Sequence, residues 1–145
     1  MSGKRSTRKR TTKSKETKNR IRGYKSVLKG LDFELKVMEH FSKKGYTVKS
    51  RKKTKTYGEA NIIAYKKGTW FTPDEYIFIE CKNKEKIPLS DFVKFIDKFK
   101  KFRNTRQEAK VLGYFIYKGN LDPKIKTTYR SLEENLRKTI KIKKY

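Results

Sequence analysis

The run Tyr76–Lys82, YIFIECK, constrains the fold more than any other stretch, because it is the most hydrophobic segment of a highly charged chain. A short apolar run of aromatic and β-branched residues predicts a strand that is buried in a sheet. Period-two alternation places Glu80 and Lys82 on one face of this strand and Ile79 and Cys81 on the other. We therefore expect a sheet that encloses this strand and carries a Glu-x-Lys pair on one face.

The segments around this run alternate between helical and strand patterns. A first helix is predicted from an N-cap at Ser26 to Gly45, with an apolar stripe of Leu28, Leu31, Leu35, Met38 and Phe41. Strands are predicted at 46–51, 59–65 and 109–117, and a short edge strand at 139–145. A second helix follows Pro88, Ser90 and Asp91, and its inward residues are Phe92, Phe95, Ile96, Phe99 and Phe102. A third helix opens at Asp122-Pro123 and carries Ile125, Tyr129, Leu132 and Leu136. The order α-β-β-β-α-β-α-β predicts an α/β fold, a mixed sheet flanked by helices.

Two connecting segments carry residues that are suited to nucleic acids. The segment 52–58, KKTKTYG, is predicted to be a basic loop. The cations around it are either solvated or bound to phosphates: Arg51, Lys52, Lys53 and Lys55. Trp70 and Phe71 lie in a second loop beside Lys66 and Lys67, where they either cover an edge of the core or stack on bases.

The charge of the chain favours a polyanionic partner. With a net charge of +26 over 145 residues, the positive side chains repel one another unless a polyanion neutralises them. Nucleic acid is therefore the expected partner. Residues 1–25 hold eleven Lys/Arg and one acid, a net charge of +10, which leaves +16 on residues 26–145. With few apolar groups, this segment is predicted to be a basic tail that is disordered when free and binds nucleic acid. A targeting or solubilising tail is the alternative. The predicted binding residues of the tail are Lys4, Arg5, Arg8, Lys9, Arg10, Lys13, Lys15, Lys18, Arg20 and Arg22.

Other classes of protein are disfavoured by composition. No apolar run approaches the ~20 residues that span a bilayer, and the N-terminus has no apolar stretch typical of a secretory signal. A single cysteine, Cys81, rules out an internal disulfide framework and fits a reducing compartment. We expect an intracellular, cytoplasmic protein with no membrane partner, and nothing in the sequence determines its oligomeric state.

Four polar residues are predicted to converge on one site. Glu34 lies within the apolar stripe of the first helix, where burying a carboxylate is costly unless it meets a partner or a metal. Asn61 on the second strand and Glu80 with Lys82 on the third complete the set. The alternatives are a surface ion pair for Glu80 and Lys82, and a partly exposed acid bound to a nearby lysine for Glu34.

These motifs resemble the PD-(D/E)XK nuclease superfamily, most closely its Mrr-like and archaeal Holliday-junction-resolvase branches. GLDFE at 30–34 is similar to the helix motif of that group, GEANIIA at 58–64 to its Gly-Glu-Ile-Asp-Ile-Ile-Ala strand, and IECK at 79–82 supplies its Glu-x-Lys. The likeness covers about residues 26–118. It implies a restriction-endonuclease-like αβββαβ core within a domain at 26–145, preceded by the tail at 1–25.

The resemblance also implies a catalytic site with one departure from the family pattern. Glu34, Glu80 and Lys82 match, and in such nucleases two strand carboxylates hold Mg²⁺ while the lysine positions water or stabilises charge. Asn61 stands where the family has an aspartate. One unit charge at 4 Å and an effective dielectric of ~20 is worth ~4 kcal/mol, so its loss weakens metal binding by orders of magnitude. Glu59, about 7 Å further along the strand, does not easily substitute.

Three functions remain open from the sequence. The favoured one is a nucleic-acid-binding protein on an eroded nuclease fold without a cofactor, in its strongest form a structural rRNA-binding component of a ribosome or similar ribonucleoprotein. The alternative is an active Mg²⁺-dependent DNA endonuclease, with Glu34 and Glu80 as metal ligands. A third is a protein-interaction module whose basic tail is only a targeting signal. Lys and Arg neutralise RNA and DNA backbones alike, so the charge does not separate the two.

Overall fold

The computed structural model describes residues 32–54 and 58–145, and it describes side chains at 32–50 and 62–145. The predicted tail at 1–25, the N-cap at Ser26, and Leu28 and Leu31 of the predicted stripe lie outside these ranges. The compact body of the chain spans Phe33–Tyr145. None of the helices in the described ranges is long and apolar enough to cross a bilayer.

One mixed sheet organises the described part of the chain. Its five strands lie in the spatial order β1-β2-β3-β4-β5, which are Thr47–Thr54, Gly58–Lys66, Glu75–Ile87, Lys110–Leu121 and Ile140–Lys144. The pairs β1–β2 and β2–β3 are antiparallel, whereas β3–β4 and β4–β5 are parallel. The helices are α1 (32–43), α2 (Leu89–Asn104), α3 (Pro123–Ser131) and α4 (Glu134–Arg137). The predicted α/β class, with a mixed sheet flanked by helices, is confirmed.

The two faces of the sheet bury separate apolar clusters. On one face, α1 packs over Ile62, Ile77 and Ile79. On the other face, α2 packs over Phe78 and Phe115 of the central strands. All five residues predicted to face inward from α2 are buried. Each such side chain contributes about 1.5–3 kcal/mol through removal from water, so this aromatic layer is a main source of stability.

A glycine in the central sheet lets α2 approach β4 closely. A Cβ at Gly113 would lie 3.0–3.1 Å from ring atoms of Phe95 and Phe99. Even a methyl group there would displace the rings, so the absence of a side chain sets the distance between the helix and the sheet.

Helix α1 buries a stripe that matches the predicted one in part. Phe41 is buried and Met38 is partly buried against the same cluster, as predicted. Leu35 is 61% exposed, and Phe33 and Val37 are buried in its place. Spacings of three and four residues fit two overlapping sets in this helix, and the set that contains Phe33 meets aromatic partners. The ring of Phe33 lies 5.1 Å from that of Tyr145, and the ring of Phe41 lies 5.5 Å from that of Tyr114. The predicted end of the helix is confirmed, since Gly45 follows it with φ 93°.

Several boundaries differ from the predicted ones. The basic segment predicted to be a loop at 52–58 is strand as far as Thr54, because Lys52 and Lys53 pair with Ala60 and Glu59. Strand β3 continues to Ile87 rather than ending at Lys82. The third helix is divided into α3 and α4 by extended backbone at Leu132, with φ −64° and ψ 149°. This break lets Leu136 enter the core just before β5 begins beside β4.

Candidate functional site

Glu80 and Lys82 lie together near the middle of β3, on the face that α2 covers. Glu80 pairs with Phe115 and Lys82 with Tyr117 of β4 in parallel register. Lys82 Nζ is 3.2 Å from Glu80 Oε1, and the two side chains are 27% and 5% exposed. The alternative of a surface ion pair on an exposed strand face is wrong, because the carboxylate is inside the protein.

Helix α2 adds charged groups to this pair. Burial raises the pKa of Glu80, while Lys82 and Lys98 lower it and Asp91 raises it further. Asp91 is itself paired, since its Oδ2 lies 2.5 Å from Lys84 Nζ. We call this set of two carboxylates and three ammonium groups the Glu80 cluster: Glu80, Lys82, Lys84, Asp91 and Lys98. Its net charge is positive, because the lysines outnumber the acids.

One oxygen of Glu80 has no hydrogen bond. Among the described residues, Glu80 Oε2 is buried and finds no donor. Asp91 Oδ2 also lacks a bond of good hydrogen-bond geometry, but its close contact with Lys84 Nζ supplies a charged partner. A buried acceptor without a donor costs about 1–3 kcal/mol, so Oε2 is the atom of the cluster most available to a ligand.

Glu34 lies on the helix that covers the opposite face of the sheet. It is half-buried, next to Phe33, which packs in the cluster that contains Cys81. Burial raises the pKa of the Cys81 thiol, and the charges of Glu34 and Glu80 raise it further. The structure therefore brings Glu34 into electrostatic range of Cys81, the neighbour of Glu80 on β3, and it brings Asp91 of α2 into electrostatic range of the Glu80 carboxylate.

The remaining predicted site residues lie outside the described side chains. The backbone of Asn61 is part of β2, and the described pairing of β2 with β3 begins at Ile62 and Ile79. Extending this antiparallel register by one residue places the backbone of Asn61 opposite that of Glu80. The side chains of Arg51, Lys52, Lys53, Lys55 and Asn61 lie outside the described ranges, as do all the predicted binding residues of the tail.

The described residues fit a metal only in part. They contain no group of three or more His, Cys, Asp or Glu that could hold a metal ion. Mg²⁺ is often bound through one or two carboxylates and keeps several waters. Glu80 Oε2 suits one such bond, whereas the Lys82 ammonium beside Oε1 opposes a dication electrostatically. The predicted ligands of Mg²⁺, Glu34 and Glu80, stay a prediction.

Asp91 is a site residue that the sequence pattern did not reveal. Its position three residues after Pro88 indicated a helix start, which is confirmed. Its place beside Glu80 follows from the packing of α2 over β3, and no local sequence signal reports that contact.

Trp70 and Phe71 are almost wholly in solvent. Their exposed fractions are 99% and 96%. The alternative in which they cover an edge of the core is therefore wrong, and the alternative in which they stack on bases stays a prediction.

No family model matches the chain, and neither the curated proteins nor the solved structures give a significant match. The function is therefore argued from the charge of the chain and the chemistry of these sites.

Proposed function

We propose that this chain is a nucleic-acid-binding protein on a restriction-endonuclease-like frame whose metal site has eroded. The net charge of +26 carries the proposal, because a chain this basic gains from releasing counterions on phosphate backbones. The strand order and the α-β-β-β-α-β succession are compatible with that frame. In the strongest form of the proposal, the partner is rRNA and the protein is a structural component of a ribosome or similar particle.

The missing charge at position 61 supports the loss of catalysis. Asn61 supplies a neutral amide where an aspartate would add a negative charge. Lys82 pairs with Glu80 at 3.2 Å, and Lys98 adds a second positive influence on the carboxylate. The Glu-x-Lys pair matches the pattern of active nucleases of that group, so the neutral amide at position 61 is the feature that weakens the attraction of the site for a dication.

The alternative, an active Mg²⁺-dependent DNA endonuclease, has one observation in its favour. Glu80 Oε2 is buried and unpartnered among the described residues, which is the condition of an oxygen that is to receive a metal. In that case Glu34 and Glu80 would hold the metal, with Asn61 as a weaker ligand. Lys82 would lie near the water that the metal activates.

Cleavage and binding assays on the purified full chain separate the two functions. Duplex, branched and single-stranded substrates are incubated with Mg²⁺ or Mn²⁺, and binding of the same substrates is followed by anisotropy at several salt concentrations. We expect salt-dependent binding without cleavage. Metal-dependent cleavage that disappears in Glu80→Ala would refute the erosion and support the nuclease.

The variant Asn61→Asp tests the missing charge directly. If the site is eroded at this position alone, calorimetry detects tighter Mg²⁺ binding, and some cleavage returns. The matched control is Asn120→Asp, which adds the same charge at an exposed position of β4. Equal effects of the two substitutions would show that position 61 has no special role. Co-sedimentation with ribosomes at low salt tests the rRNA form of the proposal.

A further inference from the structure

The loop between β2 and β3 presents two aromatic rings to solvent. Trp70 and Phe71 are adjacent in sequence and almost fully exposed. The other large exposed apolar side chains of the described chain are elsewhere, on α1, on α2 and at the C-terminal residue. Exposing two aromatic rings side by side is unfavourable in water, so their placement calls for a ligand.

Hydrogen bonds fix the conformation of the loop that carries these two rings. The Gly68 backbone N–H donates to Asp74 Oδ1 at 2.7 Å, which fixes the base of the loop. Thr69 N–H donates to the Thr72 carbonyl at 3.0 Å, and Phe71 N–H donates to Thr69 Oγ1 at 3.2 Å. The loop also leaves no room for a side chain at Gly68, where a Cβ would overlap the Thr72 carbonyl oxygen. The tip is thus ordered before any ligand arrives, which lowers the entropic cost of binding.

Two lysines precede the aromatic tip, and an arginine lies across a groove from the loop. Lys66 and Lys67 are exposed, and Lys66 Nζ lies 3.4 Å from the Lys44 carbonyl oxygen and 5.2 Å from the ring centroid of Tyr46. A groove of about 530 Å³ separates the loop from the segment that carries Arg106, whose guanidinium carbon lies 4.0 Å from the ring centroid of Phe102. Glu108 is an exposed acid in the same groove, whereas Asp74 accepts hydrogen bonds from the Gly68 backbone N–H and from the Tyr65 hydroxyl of β2.

We propose that Trp70 and Phe71 form a platform that stacks on unpaired bases of RNA or DNA, with the neighbouring cations on the phosphates. This inference deepens the proposed function and depends on it. Unpaired bases offer open π faces, which paired bases in a duplex cover by stacking on one another, and stacking tolerates any base. A membrane surface fits less well, because two rings without a wider apolar face bury little area in a bilayer.

The platform is separate from the Glu80 cluster. Glu80 lies five residues beyond the start of β3, which is about 17 Å along an extended strand. Substitutions at the tip therefore leave the chemistry of the cluster unchanged, and the two sites are tested independently.

The experiment uses the fluorescence of the full chain, since Trp70 is its single tryptophan. Short oligouridylate, oligothymidylate, a matched duplex and the same duplex with a bulge are titrated at low salt. Binding is followed in parallel by the anisotropy of a label on each oligonucleotide. We expect the unpaired strands and the bulged duplex to quench Trp70 and the matched duplex to leave its emission nearly unchanged. The RNA and DNA strands show which backbone is preferred.

Variants identify the part played by the rings. Trp70→Ala and Phe71→Ala should each weaken the binding of unpaired strands by about 5- to 150-fold for each stacked base lost. Trp70→Tyr keeps a planar ring and should retain most of the affinity, whereas Trp70→Leu keeps apolar area without a π face and should not. Val93→Ala, at an exposed apolar residue of α2, is the matched control and should bind as wild type.

Four results would overturn the inference. Tight binding by anisotropy without quenching, or an unchanged affinity in the double alanine variant, would leave nucleic-acid binding standing and remove the platform. No binding of any oligonucleotide at low salt would remove both the platform and the proposed function. A blue shift of Trp70 on phosphatidylserine vesicles, with vesicle binding lost in Trp70→Ala and kept in Trp70→Leu, would assign the tip to a membrane surface.

Discussion

Replacing Lys82 with methionine tests whether this lysine stabilises the negative charge of the buried Glu80. A unit pair at the observed 3.2 Å, in an effective dielectric of ~20, is worth about 5 kcal/mol. Lys82 keeps 27% of its side chain in solvent, and Lys98 also lowers the pKa of Glu80, so part of this energy is screened or replaced. We expect Lys82→Met to lower the free energy of unfolding by about 2–3 kcal/mol at neutral pH.

The loss of stability caused by Lys82→Met should depend on pH in a defined direction. Burial raises the pKa of Glu80, so the native state binds the proton more tightly than the unfolded chain does. The contribution of this group to stability therefore falls as the pH rises from the ordinary carboxyl range through the folded pKa. In Lys82→Met the pKa rises further, because one stabilising charge is gone. The cost of the substitution should shrink in acid, where Glu80 is protonated in both proteins.

Urea unfolding followed by far-ultraviolet circular dichroism measures these free energies at neutral and acidic pH. Tryptophan emission is a poor probe of unfolding here, because Trp70 is already in solvent in the native state. Lys94→Met, at an exposed lysine of α2, is the control and should change stability by less than about 0.5 kcal/mol. In a Glu80→Gln background, Lys82→Met should cost as little as this control, because no charge remains to be neutralised.

A cost that is equal for Lys82→Met and Lys94→Met would refute this reasoning. So would a cost for Lys82→Met that is the same in acid and at neutral pH, or the same with Gln at position 80. Any of these results would mean that the lysine packs against the sheet without determining the charge of Glu80.

Three further predictions concern backbone, thiol and tail. Gly119→Ala should destabilise the fold by at least about 2 kcal/mol in urea, because Gly119 has φ 131° and a Cβ would overlap the Lys84 carbonyl. Gly45→Ala, with φ 93° but only ordinary contact with the Lys66 side chain, should cost less. The Cys81 thiol should resist an aromatic disulfide reagent until the protein unfolds, because it is buried and its pKa is raised; rapid reaction in the native state would contradict its burial. Deleting residues 1–25 should make the slope of log affinity against log salt less steep by as much as about 10, if all eleven cations of the tail contact phosphates. An unchanged slope would support a tail that is only a targeting signal.

The second helix shows what a periodic pattern predicts well. Five of its apolar residues fall on one stripe at helical spacing, and Val93, which lies outside this stripe, is exposed. Burial of all five positions follows from this, whatever the helix packs against. Strand alternation succeeds for the same reason, and it places Glu80 and Lys82 on one face of β3.

The first helix shows where such a pattern fails. Leu35, Met38 and Phe41 share one helical spacing, and Phe33, Val37 and Phe41 share another. Met38 and Phe41 pack in the core, whereas Leu35 is exposed. Local sequence does not choose between the two, because the choice depends on aromatic residues of β4 and the C-terminus that are distant in the chain. The same limit applies to Asp91, which joins Glu80 only through the packing of α2, and to Trp70, whose loop has no local signal for its outward direction.

A buried carboxylate with one unpartnered oxygen is costly, and the Lys82 ammonium beside the other oxygen offsets part of that cost through the charge of Glu80. On the proposed function, a dication and the Lys82 ammonium compete for that charge, and the second carboxylate that would favour the dication is an amide at position 61. The ammonium then prevails, and the lysines of β3 and α2 carry a net positive charge beside a sheet whose far loop exposes two aromatic rings. Phosphates and open base faces are the ligand chemistry that these two features share.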